Sequence, residues 1–137
     1  MIVVDVNVVA YLLIEGERTS LAREVWRLDP DWRVPDLWRH EFLNVLATLA
    51  RSKILDFETA AWTWRQALDL LRPGETEIEM SEALTLAMQT RISAYDAQYI
   101  TLAQQLGVPL VTEDRQLLKT FSGLSLAMSE LLELSAE

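Results

Sequence analysis

Two kinds of pattern alternate along this chain: short β-branched runs, and longer stretches in which apolar residues return every three or four positions. Ile2-Val3-Val4 is a run of the kind that forms a buried parallel strand. Leu110-Val111, at the end of Val108–Val111, is a second, and Trp32–Val34 reads as a third, short one. Between them the helical period predicts helices over Val6–Leu13, Ser20–Leu28 with Thr19 as N-cap, Leu37–Ser52 with Asp36 as N-cap, and Phe57–Leu71 with Asp56 as N-cap. Pro73-Gly74 stops the last of these, and Thr76–Met80 alternates as a strand or edge segment would. Further helices are predicted over Ser81–Arg91, over Ala94–Leu106 with Gly107 just past its end, and over Asp114–Phe121, with weak helical character in Ser129–Leu134. Strands separated by helices imply an α/β fold, a three-layer α/β/α sandwich around a mostly parallel sheet.

In such sheets ligands bind beyond the carboxyl ends of the strands. Asp5 follows the first run directly, and Asp114 comes just after Leu110-Val111-Thr112. If both strands lie in one parallel sheet, the two acids share an edge. On the helix from Leu37 to Ser52, about 100° per residue places Trp38, Phe42, Val45, Leu46 and Leu49 on one apolar arc. Glu41 falls at the border of that arc, where a carboxylate needs a partner or a metal, and Asn44 shares its polar edge. Asp96 sits three residues after Ser93, the spacing of a capping box. Each acid has a plain structural alternative. Asp5 and Asp114 can cap helices, Asp96 can close the box with Ser93, and Glu41 can reach out to solvent. Convergence of all of them on one pocket makes sense mainly with divalent cations, and oxygen-only ligands suit Mg²⁺ or Mn²⁺ rather than zinc.

Composition narrows the choice. At 137 residues the chain is long enough for one domain spanning 1–137, and 50% of it is apolar, with five Trp. Without cysteine, disulfides, thiolate metal sites and cysteine nucleophiles are excluded. The N-terminus lacks a basic segment, Asp5 interrupts its apolar stretch, and no run is long enough for a membrane span, so a soluble, cytoplasmic protein is expected. The net charge of −9 argues against a nucleic-acid binder, which is ordinarily basic. Bound cations or a basic partner would offset it.

Four segments, in this order and spacing, resemble the PIN-domain ribonucleases, and among them the VapC-type toxins of toxin–antitoxin pairs. They are Val3-Val4-Asp5-Val6-Asn7-Val8, His40-Glu41-Phe42-Leu43-Asn44-Val45-Leu46, Ser93-Ala94-Tyr95-Asp96-Ala97-Gln98-Tyr99 and Leu110-Val111-Thr112-Glu113-Asp114-Arg115. The resemblance implies that Asp5, Glu41, Asp96 and Asp114 bind Mg²⁺ or Mn²⁺ and that metal-activated water hydrolyses RNA phosphodiester bonds. Asp5 and Asp96 would be the principal ligands, with Asn7, Asn44, Ser93 and Thr112 as polar supports. Val6 departs from the small or hydroxylated residue common in relatives. Arg115 is a candidate phosphate contact, whereas His40 points about 100° away from Glu41 and reads as a surface residue. The family also implies a cognate, VapB-like antitoxin and a possible homodimer. Phe57, Ala60, Ala61, Trp64, Leu68 and Leu71 form an apolar stripe with Trp62 roughly opposite, so Trp62 is the candidate partner contact.

Competing readings are a PIN-like domain that only binds a partner, and a phosphoacceptor or phosphatase-type α/β domain. The second fits worse. The last strand is followed by Thr112-Glu113-Asp114-Arg115, without the Lys that a receiver domain places there, only Asp5 follows the first strand, and the position two residues after Asp5 is Asn7, not the Asp of haloacid-dehalogenase-like phosphatases.

Overall fold

The computed structural model describes residues 1–136. Four short strands, β1 (Ile2–Val4), β2 (Trp32–Arg33), β3 (Leu110–Val111) and β4 (Ser125–Leu126), form one sheet in the order β2-β1-β3-β4, every pair parallel. In register, Ile2 pairs with Trp32, Val3 with Leu110, Val4 with Val111, and Leu110 with Ser125. The helices are α1 (Val6–Leu13), α2 (Thr19–Leu28), α3 (Trp38–Arg51), α4 (Phe57–Leu71), α5 (Met80–Gln89), α6 (Ala94–Leu106), α7 (Arg115–Thr120) and α8 (Met128–Ser135).

The alternation of strand side chains divides the core into two layers. Ile2, Val4 and Val111 point into a cluster with Val8, Val25, Trp38, Phe42, Leu71 and Met128, beneath α1–α4 and α8. Val3 and Leu110 point the other way, into a cluster with Ala83, Tyr99, Ile100 and Leu117 from α5, α6 and α7. This is the expected α/β/α sandwich, and its strands are apolar on both faces because both are covered.

Several local expectations are corrected. Thr19 is the first residue of α2 and not its N-cap: its hydroxyl accepts from Gly16 N (3.0 Å) and donates to Ile14 O (3.2 Å), closing the preceding turn. Asp36 does not cap α3. Pro35–Leu37 already turns helically, so the Pro35 and Asp36 carbonyls take the first amides and Leu37 is itself helical (φ −51°, ψ −29°). The edge strand expected over 76–80 reduces to a bridge between Val34 and Glu75. Phe57 lies off the core, 82% exposed, because the buried face of α4 is centred on Ala60, Thr63, Ala67 and Leu71. Strand β4 had no sequence signal, since only two residues pair. Asp56 caps α4 as expected, and Gly107 takes the left-handed conformation (φ 65°) after α6.

Candidate active site

The chain runs from β1 to β2 on one side and then returns to β3 on the other, so the strand order reverses between β1 and β3. Such a reversal leaves a crevice at the carboxyl ends of the strands. Asp5 and Thr112 face each other across it. The Asp5 amide donates to Val111 O (3.2 Å), continuing the pairing of β1 with β3 by one bond. Beyond that bond the Thr112 hydroxyl donates to Asp5 Oδ2, in the buried interior. Thr112 Oγ1 in turn accepts from the Asp114 amide (3.1 Å), which fixes the direction of its own proton. The amides of Asn7 (2.8 Å) and Val8 (3.3 Å) donate to Asp5 Oδ1, so Asp5 caps α1 while it faces the crevice.

Asp114 is arranged alike: its Oδ1 caps α7, accepting from Gln116 N (2.8 Å) and Leu117 N (3.1 Å). Capping and site formation are thus not alternatives for these acids. One oxygen of each can terminate a helix and leave lone pairs of the other open. At Asp96 the amide donates to Ser93 Oγ (3.0 Å), and its half-buried carboxylate lies close enough to Asp114 to feel its charge.

Glu41 arrives from α3, whose first turn is anchored strongly. Trp38 is fully buried, stacks on Trp64 (5.7 Å between centroids), and donates from Nε1 to Glu75 Oε1 (2.7 Å). Arg39 forks the same carboxylate, from Nε to Oε1 (2.5 Å) and from Nη2 to Oε2 (3.0 Å). Three residues on from Trp38, Glu41 Oε1 accepts from the hydroxyl of Tyr99 on α6 (2.6 Å). Tyr99 had no role in the sequence reading, although its place three residues after Asp96 puts it on the same side of α6. Asn44 is exposed, and among the described residues Tyr99, not Asn44, holds Glu41. Asn7 contributes its backbone amide, and its side chain is exposed. Arg115 and His40 are exposed, and Trp62 stands 53% exposed on α4.

Electrostatically the acids form one neighbourhood. Burial raises the Asp5 carboxyl; the Thr112 hydroxyl and the Asn7 and Val8 amides pull it back, and the charge of Asp96 adds to the rise. Glu41 is raised by burial, opposed by the Tyr99 hydroxyl, and raised further by Asp96 and Asp5. Asp96 is raised by burial and by Asp114, with Ser93 opposing. Burial and then Glu41 hold the Tyr99 phenol well above its ordinary value, so it stays a neutral donor.

Among the described residues no three acidic or histidine side chains already meet at one ion-sized point. No Lys or Arg of the described residues forms an ion pair with Asp5, Glu41 or Asp96. A set of oxygen donors that is buried at Asp5 and half-buried at Glu41, Asp96 and Asp114 fits a hard divalent cation, which would neutralise what the side chains do not. Asp5, Glu41, Asp96 and Asp114 are the residues that would hold it.

Comparison with known proteins agrees with this architecture. The PIN domain model matches residues 2–121. Ribonuclease VapC3 of Pyrobaculum aerophilum is 30% identical over 129 residues, which is 90% of this chain and 96% of that protein. The crystal structure of PAE2754, also from Pyrobaculum aerophilum, superposes with a TM-score of 0.78 at 24% identity, covering 99% of this chain and 97% of that one, a likeness of fold. With a parallel sheet reversing at Asp5 and a domain match running almost end to end, the chain belongs to the PIN-domain family, in its VapC-type branch.

Proposed function

We propose that this chain is a Mg²⁺- or Mn²⁺-dependent endoribonuclease, the toxin half of a toxin–antitoxin pair. The observation that carries the reading is a buried carboxylate, Asp5, grouped at the switch point with the half-buried Glu41, Asp96 and Asp114, with no Lys or Arg of the described residues in an ion pair with any of them. Such a set costs stability unless something positive joins it. A bound cation supplies an activated water and charge neutralisation at the phosphate. The chain's own residues do the rest. Thr112 and the α1 amides fix Asp5, Tyr99 fixes Glu41, and Ser93 holds the first turn of α6 under Asp96. Arg115, one residue past Asp114 and exposed, is our candidate for a contact to a substrate phosphate.

The partner side of the reading is an antitoxin of VapB type, with a homodimer as a further assembly. Trp62 and a groove between α3 and α4 lined by Leu43, Ala47, Phe57 and Trp64 are the apolar surfaces that support it. A basic partner segment suits the charge of −9. No helix among the described residues is long and apolar enough to cross a membrane; a cytoplasmic setting is part of the proposed reading.

The test is cleavage of end-labelled RNA by the purified chain, with Mg²⁺, with Mn²⁺ and with EDTA. Cleavage should require the cation and vanish in Asp5→Asn. Activity that survives EDTA, or that Asp5→Asn leaves untouched, overturns the reading.

A further inference from the structure

We propose that Tyr99 is a positioning residue of the acidic site: its hydroxyl holds Glu41 in one orientation and leaves Oε2 as the oxygen offered to a divalent cation. The inference rests on the metal-dependent reading above and deepens it. Glu41 is long, half-buried, and repelled by Asp5 and Asp96. Left to itself, it would swing towards water, where neither desolvation nor like charge opposes it. The hydroxyl of Tyr99, 2.6 Å from Oε1, counters that tendency from across the sheet edge, 58 positions further along the chain. Oε2 has no hydrogen-bond partner among the described residues.

What makes Tyr99 suited to the task is its immobility. The residue is 2% exposed and sits in the cluster formed by Val3, Ala97, Ile100 and Leu110, so its ring is locked by packing on the α5–α7 side of the sheet. Glu41 belongs to α3, in the opposite layer. The bond therefore joins the two helical layers over the carboxyl ends of the strands, and it fixes the acid that arrives from α3 relative to Asp96, which comes from the same helix as Tyr99. A short, rotatable donor on the surface could not do this, because its own freedom would pass to the carboxylate. The α6 helix thereby supplies a candidate ligand, Asp96, and one turn later the group that orients another.

The experiment measures Mn²⁺ affinity of the full-length chain by calorimetry, with metal-free thermal stability recorded in parallel, for wild type, Tyr99→Phe, Glu41→Gln and the double variant. Phenylalanine keeps the ring and its packing, and the oxygen it abandons stands in a half-buried, wettable position, so the fold is retained. Tyr99→Phe should weaken Mn²⁺ binding by roughly tenfold or more, the scale found when the partner of a metal ligand is removed. In the Glu41→Gln background the same change should weaken it no further, because Tyr99 acts through Glu41. Unchanged affinity in Tyr99→Phe overturns the inference, even if stability falls, and so does an equal loss in both backgrounds. A wild-type chain that binds no Mn²⁺ overturns the functional reading and this inference with it. Wild-type binding matched by Tyr99→Phe overturns this inference alone.

Discussion

The hydroxyl of Thr112 donates to Asp5 Oδ2 across the boundary between β3 and β1, and the Asp114 amide, by donating to that same hydroxyl, leaves its proton no other direction. Two acids 109 positions apart in the chain are thereby tied through one fully buried oxygen. Thr112→Val keeps the β-branched shape but strands both the Asp114 amide and Asp5 Oδ2. Cation affinity and RNA cleavage should fall by roughly 10–100-fold, as for other partners of metal ligands. Thr112→Ser should recover most of the loss. Calorimetry with Mn²⁺ checks both, and a Thr112→Val chain that binds the ion as wild type does would refute the coupling.

Asp5 sets up a conflict between site and stability. Its folded-state pKa lies above the unfolded value because of burial. For a carboxyl, that means the folded state gives up its proton later, so stability falls as pH rises through the window between the two values. Below the unfolded value, about 3.9, both states are protonated and there is no penalty. Asp5→Asn keeps an oxygen for the α1 amides and removes the charge. In the absence of metal, the stability of Asp5→Asn relative to wild type should therefore grow from acid to neutral pH. Urea titrations across that range decide it, and an advantage that shrinks with rising pH would contradict the sign.

Cation addition should act in the opposite sense. Under the proposed function Mn²⁺ would bind only the folded, ionised cluster, so it should raise the wild-type melting temperature by mass action. Because Asp5, Glu41 and Asp96 all carry raised values, protons compete with the ion, and the shift should shrink as pH falls into the carboxyl range. Asp5→Asn should show little shift at any pH. Thermal scans with and without Mn²⁺ at several pH values test this.

Much of this arrangement is legible in the chain because each acid stands beside an element whose period is strong. Asp5 and Thr112 follow apolar runs that read as buried strands, and Glu41 borders a clear helical arc. Tyr99 escaped notice for the converse reason. On α6 nearly every neighbour is buried, so the helix has little amphipathic contrast, and a Tyr among core residues reads as packing. The polar half of its role depends on a carboxylate 58 positions away, which no local pattern encodes. The missed caps have a similar origin. Asp36 has the right residue type, but Pro35 begins a helical turn ahead of it and pre-empts the geometry a capping side chain needs. Phe57 was placed by period alone, whereas the buried face of α4 is set by the small residues Ala60 and Ala67, which let it approach α3 and α1.

Gly74 shows how closely the edge of the sheet is packed. A β-carbon there would lie 1.9 Å from the Trp32 carbonyl oxygen, a backbone atom that cannot turn aside. Its own carbonyl accepts from Val34 N (3.2 Å), and the next residue, Glu75, anchors Trp38 and Arg39 of α3. Gly74→Ala should force β2 and the 3₁₀ turn at Arg72–Gly74 apart, costing about 2–4 kcal/mol, in the range of severe overpacking and strain. Because Glu41 rides on α3, cation affinity should fall as well. Chemical denaturation and Mn²⁺ titration of the same sample would show the two effects together; a stable variant with normal affinity would mean that the edge can relax.

Thr101 offers the reverse case. It lies 1% exposed in the middle of α6, and its hydroxyl has no hydrogen-bond partner among the described residues. A buried hydroxyl that has left water without finding a partner costs about 1–3 kcal/mol. Among the described residues it makes no hydrogen bond to the acidic site, whose polar contacts with α6 come from Asp96 and Tyr99. Thr101→Val exchanges the hydroxyl for a methyl of nearly the same size and has a comparable helix propensity. The chain should gain about 1 kcal/mol, seen as a rise of about 3 °C in melting temperature. RNA cleavage should stay at the wild-type level. A loss of stability would mean that the hydroxyl is satisfied by a buried water, and high-resolution diffraction from crystals of the wild-type chain, once grown, would locate that water beside Oγ1.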